Sequence, residues 1–145
     1  MAHAEGNITI DRPIQKVFDF VLDGKNNPRW RSSVMDIKLM PGKPLGLGAV
    51  FKQGLKGPGG RIDGDYELVE VKPNELIKFQ VIAGPARPTG TYKFESNGKS
   101  TKVAFILDFE PKGLAKLMDG MINKSMQEEV KMLANLKSYL ESSPI

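Results

Sequence analysis

No cysteine occurs in the 145-residue sequence. Disulfides, thiol nucleophiles, iron–sulfur clusters and thiolate metal sites are thereby excluded. Histidine occurs once, at His3, which also excludes a Ser-His-Asp triad, a multi-histidine zinc site and an HExxH motif. No apolar run reaches the ~18 residues of a membrane span, so no integral membrane association is expected. The opening MAHAEGNITI lacks the basic-then-apolar pattern of a secretory leader. A cytoplasmic location is the resulting expectation. Runs of like charge are absent as well. Lys and Arg number 21 against 17 Asp and Glu, a net charge of +4. Yet Lys16, Lys25, Arg29, Arg31, Lys38, Lys43, Lys52 and Lys56 are scattered through loops and strands, and read as a solvated, mildly basic surface. Nucleic-acid binding needs a clustered basic stripe with stacking aromatics, so no nucleic-acid partner is expected. What remains is chemistry by carboxylates, Tyr, Lys and Arg, or binding without chemistry.

The length suits one domain, 1–145, and 40% hydrophobic with 26% charged residues makes a globular chain. Asn7–Ile10 reads as a short strand. Asp11 and Pro13 then signal a helix start, and Ile14, Val17, Phe18, Val21 and Leu22 have amphipathic-helix spacing up to Asp23-Gly24. Asn26–Arg31, with Trp30, predicts a second short helix or turn. Six alternating segments follow: Val34–Leu39, Ala49–Leu55, Ile62–Val71, Leu76–Ile82, Gly90–Glu95 and Thr101–Phe109, with a hairpin signal at Asn97-Gly98. With the first strand, this predicts a seven-stranded antiparallel meander. After Pro111 the period changes. Gly113–Ser142 predicts a long helix with one weak point at Gly120. The fold class is α+β: a long C-terminal helix against one face of a curved sheet, with two short helices after strand 1.

At this level of organisation the chain resembles the START-like, SRPBCC superfamily, in its polyketide cyclase/dehydrase branch. The resemblance spans nearly the whole chain. It rests on Ile8-Thr9-Ile10-Asp11-Arg12-Pro13, Asn27-Pro28-Arg29-Trp30 and Gly46-Leu47-Gly48-Ala49-Val50-Phe51. It continues through Tyr66–Pro73, Leu76–Phe79, Gly90–Phe94, Ser100–Val103 and Leu136–Glu141. Each motif is weak alone; their order and spacing make the match specific. The resemblance implies a helix-grip fold with a cavity between the long helix and the sheet. Its members bind lipids, sterols, plant hormones, polyketides and aromatic compounds, and a minority catalyse cyclisation or dehydration. No shared catalytic signature exists to carry over, and no cofactor is expected.

On the long helix, Leu114, Leu117, Met118, Met121, Ile122, Met126, Leu133, Leu136 and Leu140 form an apolar stripe that includes Ser125 and Glu129. An unpaired carboxylate costs several kcal/mol to bury. Glu129 is therefore a rim residue, a partner of Lys124 or Lys131, or a polar anchor in a cavity. Methionines at 118, 121, 126 and 132 suit an adaptable wall, although any single one serves as core filling. On the strands, Phe51, Gln53, Leu55, Tyr66, Leu68, Phe79, Tyr92, Phe94, Phe105 and Leu107 share the inner face if alternation holds. The candidate ligand-binding set is Phe51, Gln53, Tyr66, Leu68, Phe79, Tyr92, Phe94, Phe105, Met118, Met121, Ile122, Ser125 and Glu129. Trp30 caps one end of the core on this reading, and Asp63, Asp65 and Glu67 form a solvated acidic ladder on one strand. The leading expectation is a monomer or homodimer binding a hydrophobic small molecule. A cyclase/dehydratase using Glu129, Tyr66 or Tyr92, and a co-chaperone-like interaction module, are the alternatives.

Overall fold

A computed structural model describes residues 2–57, 59–110 and 119–142. Strand β1 (Ala2–Ile10) leads into helix α1 (Ile14–Leu22) and a 3-10 helix (Gly24–Arg29). There follow β2 (Val34–Leu39), β3 (Val50–Gly57), β4 (Gly60–Asp63), β5 (Tyr66–Lys72), β6 (Leu76–Val81), β7 (Thr89–Asn97) and β8 (Ser100–Phe109). Helices α2 (Asp119–Lys131) and α3 (Leu133–Ser142) end the described chain. The strand order is β1-β8-β7-β6-β5-β3-β2, with β4 beside β3 and every pairing antiparallel. This is the expected α+β arrangement: a curled sheet of seven strands along its main path, holding a bent C-terminal helix. Among the described residues no helix is long and apolar enough to cross a membrane.

Four local expectations are corrected. Strand β1 begins at Ala2, five residues before the expected start, and pairs with β8 from Ala2↔Phe109 to Ile10↔Thr101. Ala and Gly are poor strand formers, so Ala2, Ala4 and Gly6 give little local signal. Their small side chains are instead the seat of α2: a Cβ on Gly6 would stand 3.2 Å from the Val130 carbonyl oxygen. The segment Ile62–Val71 is two strands rather than one. The chain turns at Gly64-Asp65, where Gly64 N–H donates to the Gln53 carbonyl (2.8 Å) and the Asp65 carboxylate accepts from Gln53 N–H (3.1 Å). The acidic ladder is thus divided between β4, the turn and β5. Asp11 does not cap α1. The cap position is Pro13, and Asp11 N–H donates to Glu141 (2.7 Å), which ties β1's end to α3.

The fourth correction concerns the long helix. Gly120 lies inside α2, and the break falls at Met132, where a tight Met132 N–H to Glu129 carbonyl bond (3.1 Å) separates α2 from α3. Residues 111–118, where the helix was expected to begin, lie outside the described residues. Side chains of α3 and its neighbours anchor it: Asn135 donates to the Trp30 carbonyl (3.2 Å), Lys137 to the Thr9 carbonyl (2.7 Å), and Arg29 to the Tyr139 hydroxyl (2.9 Å).

The core lies between the helices and the inner face of the sheet. Val17, Phe18 and Val21 of α1 share one core with Phe94, Val103, Phe105 and Leu107, the Phe18 ring standing edge-on to Phe94 (5.1 Å), and the buried stripe on the C-terminal helices is Met126, Val130, Leu133, Leu136 and Leu140. The ring of Phe79 lies flat over Gly90, its cross-strand partner. A Cβ at Gly90 would meet Phe79 Cζ at 2.0 Å. Gly90→Ala is therefore expected to destabilise the fold by about 1–3 kcal/mol through overpacking. Phe79→Leu in the same chain should recover part of that loss in denaturant unfolding. Equal losses with and without Phe79 would show that the ring does not require the glycine.

Candidate functional site

Alternation along the inner strands brings aromatic side chains into one continuous row. Phe51 stacks on Tyr66 across β3 and β5 (centroids 5.2 Å apart), and Tyr66 meets Phe79 of β6 (5.2 Å). Phe79 meets Tyr92 of β7 (5.9 Å), and Tyr92 stacks on Phe105 of β8 (4.5 Å). Trp30 closes the row edge-on against Tyr92 (6.2 Å) and Phe105 (6.1 Å). Each such pair contributes about 0.5–1.5 kcal/mol beyond its burial. The row also forms the floor of a cup.

Polar groups stand over this floor. Arg31 follows the 3-10 helix and is 6% exposed. Its Nε–H donates to Glu129 Oε1 on α2 at 2.6 Å, and Ser33 Oγ lies 2.8 and 3.0 Å from the two Glu129 oxygens. The Glu129 side chain is 16% exposed. Beside them, Asn27 Nδ2 donates to the Tyr66 hydroxyl (3.0 Å) and to Gln53 Oε1 (3.1 Å), while Gln53 Nε2 donates to the Gly64 carbonyl (3.3 Å). Tyr66 reaches this network because residue 24 is glycine: a Cβ there would stand 2.1 Å from the tyrosine oxygen. The Trp30 Nε1–H is buried and has no acceptor among the described residues.

Electrostatics make the cup rich in hydrogen-bond donors. Burial pushes the Tyr92 phenol up to about 12, against the pull of the Arg31 cation and with the help of Glu129. Burial likewise raises Tyr66, with Tyr92 adding to the rise and Arg31 and Asn27 opposing it. Burial works against the Arg31 charge, but the Glu129 carboxylate more than compensates, so Arg31 stays cationic. Tyr66, Tyr92, Trp30 and Arg31 can all donate. Glu129 and Gln53 supply side-chain acceptors beside them.

The free space is small. A void of about 10 Å³, room for about one water, lies among Val21, Leu22, Asn27, Arg31, Tyr66, Leu68, Ile77, Phe79 and Tyr92. It sits beneath α1 and the 3-10 helix, and α2 reaches it through Glu129's hold on Arg31. A larger hollow of about 460 Å³ lies elsewhere, on the outer face among Lys72, Glu75, Lys93, Glu95 and Lys102. It is open, mixes both charge signs and holds no ion-paired core. The buried ion pair and the aromatic row are in the cup.

Of the expected site residues, Phe51, Gln53, Tyr66, Leu68, Phe79, Tyr92, Phe94 and Phe105 are all buried on the inner face. Tyr66, Leu68, Phe79 and Tyr92 line the void itself. Ile122 is half-buried, and Met118 lies outside the described residues. Met121, 59% exposed, and Ser125 face solvent, because the buried stripe runs through Met126 and Val130, one position round the helix. Glu129 pairs with Arg31, not with Lys124 or Lys131. Sequence reasoning missed Asn27, Ser33 and above all Arg31, which it placed on the solvated surface. The available signal was Glu129: a carboxylate inside an apolar stripe calls for a cation from another element.

The sequence model of the polyketide cyclase / dehydrase and lipid transport family matches residues 1–141. A search of curated proteins finds no match. Among solved structures, a START superfamily protein from Mycobacterium smegmatis aligns with TM-score 0.81 at 16% identity, covering 97% of this chain and 98% of that one. The Zhui aromatase/cyclase from Streptomyces sp. R1128 aligns with TM-score 0.72 at 12% identity, covering 94% and 89%. The Aha1 dimer from Colwellia psychrerythraea aligns with TM-score 0.66 at 17% identity, covering 98% of each chain. At these identities the likeness is one of fold.

The two raised phenols give an alkaline signature. Folded protein holds these protons above the ordinary tyrosine value of 10.0, where the unfolded chain has released them. Their contribution to stability is complete below that value and is lost as pH climbs towards about 12. Unfolding free energy should fall over this window, and Tyr92→Phe should flatten the fall. If Tyr66 and Tyr92 ionise near their ordinary value in a chain that stays folded, the cup is wetter than described.

Proposed function

The chain belongs to the polyketide cyclase / dehydrase and lipid transport family, and on that premise we propose that it binds a ring-containing, mostly apolar small molecule bearing a hydrogen-bond acceptor. The carrying observation is Arg31, a guanidinium buried over a row of aromatic rings. A buried ion pair is weak support for stability, and apolar residues of similar volume often serve as well or better. A cation kept among donors and rings suits a ligand whose body lies on the aromatic floor and whose acceptor meets Arg31, Tyr66 and Tyr92. With room for about one water in the free state, the cup must open to admit such a ligand, and that opening reduces affinity. A cytoplasmic setting and a monomer or homodimer complete the reading.

The cyclase/dehydratase reading has less support. Tyr66 and Tyr92 are held in their protonated form, so they donate and do not abstract protons at neutral pH. Glu129, the carboxylate held against the cup's cation, is occupied by Arg31 and Ser33. An interaction module would call for a contiguous apolar surface. The exposed large apolar residues Met35, Leu45, Leu47, Val69, Ile82 and Met121 come from β2, the β2–β3 loop, β5, the end of β6 and α2.

Two substitutions separate function from stability. Arg31→Met alone leaves Glu129 unpaired and should lower stability by about 3 kcal/mol. Arg31→Met with Glu129→Met removes both charges and should restore stability or exceed the parent's. The double variant should nevertheless fail to hold an environment-sensitive naphthalene dye, which the parent binds with one-site stoichiometry and releases to aromatic ketones. Dye binding confined to unfolded protein, or retained in the stable double variant, would overturn the proposal.

A further inference from the structure

Arg31 meets Glu129 through Nε, which leaves its terminal nitrogens on the side of the Tyr92 hydroxyl, the other group that hydrogen-bonds the guanidinium. Arg31 lines the void, whereas Glu129 is not among the lining residues. The carboxylate is not free to leave: its two oxygens are held by Arg31 Nε–H at 2.6 Å and by the Ser33 hydroxyl at 2.8 and 3.0 Å. The cup therefore offers a ligand a fork of donors whose positive charge is already matched. A second carboxylate, Asp23, acts electrostatically on the Tyr66 end of the cup. Around these groups the walls are aromatic or aliphatic, so interactions between charges are weakly screened.

We infer that Glu129 sets the charge of the ligand: held against Arg31, it neutralises the buried cation, so the pocket accepts a neutral, polarised oxygen such as a ring-bound ketone and rejects the corresponding carboxylate. This rests on the binding reading above and deepens it by naming the ligand class. A ketone oxygen accepts from the terminal nitrogens of Arg31 and from a tyrosine hydroxyl without bringing a new charge into the site. A carboxylate gains the same bonds, but it must give up its hydration and stand a guanidinium's width from Glu129. Glu129 here is a specificity residue acting through Arg31. Ser33 is the positioning residue that keeps its oxygens in place.

The test uses two probes of the same shape, acetylnaphthalene and naphthoate, titrated by calorimetry against the full chain at neutral pH. The parent protein should bind acetylnaphthalene about tenfold or more tighter than naphthoate. Glu129→Gln keeps an acceptor for Arg31 Nε–H and removes the negative charge, so it should tighten naphthoate about tenfold and change acetylnaphthalene little. Parent discrimination needs no variant, which keeps the inference testable should Glu129→Gln misfold. Equal affinity of the parent for both probes, or an unchanged preference in folded Glu129→Gln, would overturn the charge rule and leave the binding proposal standing. Failure of both probes to bind parent and variant alike, with no displacement of the dye, would remove the binding proposal and the charge rule together.

Discussion

A guanidinium gives up strong hydration when it enters a protein interior, and Arg31 has done so at a site walled by aromatic rings. The desolvation of an ion is offset only by good geometry with a counter-charge and by further hydrogen bonds. Glu129 supplies the charge at 2.6 Å, and Ser33 satisfies the remaining carboxylate oxygen. This one pairing constrains three parts of the chain. It fixes the segment between the 3-10 helix and β2, it fixes the rotation of α2 about its own axis, and it leaves the outer end of Arg31 directed at the tyrosines. The exposure of Met121 and Ser125 follows from the same rotation: the inward line of α2 runs through Met126 and Val130, Glu129 stands at its edge, and Ser125 and Met121 lie progressively further round towards solvent.

The aromatic row is the second constraint, and it depends on residues that make no show in the sequence. Rings on β3, β5, β6, β7 and β8 meet because the strands are in register, but their tilt depends on where side chains are missing. Gly90 leaves room for Phe79 to lie across β7, and Gly24 leaves room for the Tyr66 hydroxyl beneath the 3-10 helix. Close packing at native density makes such absences as specific as the rings themselves. Ala2, Ala4 and Gly6 act in the same way for α2. Small residues on the inner face of β1 let that helix approach the sheet edge, away from the cup.

Much of the fold was legible because period two and period 3.6 are local signals. Phe51, Tyr66, Phe79, Tyr92 and Phe105 could be placed on one face by alternation alone, and all five are buried there. The site's charge was not legible in the same way. Arg29 and Arg31 flank Trp30 with identical chemistry; Arg31 turns inward, while Arg29 meets Tyr139 at the surface. Which one is buried depends on the turn that ends the 3-10 helix and on the position of Glu129, 98 residues away. A carboxylate in an apolar stripe announces that a cation is needed and does not say from where. The split of Ile62–Val71 escaped notice for a related reason: Gly64-Asp65 reads as a polar interruption, and only its bonds to Gln53 make it a corner.

The same interactions explain why the cup is nearly closed. Aromatic rings in contact exclude water, and a void of about 10 Å³ gives no apolar ligand a seat. Filling that space with side chains stabilises the free chain, whereas binding requires that some of this packing be exchanged for ligand. The exchange is favourable only if the ligand restores what it displaces: ring contacts along the floor and an acceptor for donors that otherwise have none. Trp30 Nε1–H is such a donor, and it stands outside the ion pair that holds α2. Arg31 is thus two-sided: its Nε side serves the fold through Glu129, and its other side meets Tyr92 at the void, where a ligand's acceptor would have to join them.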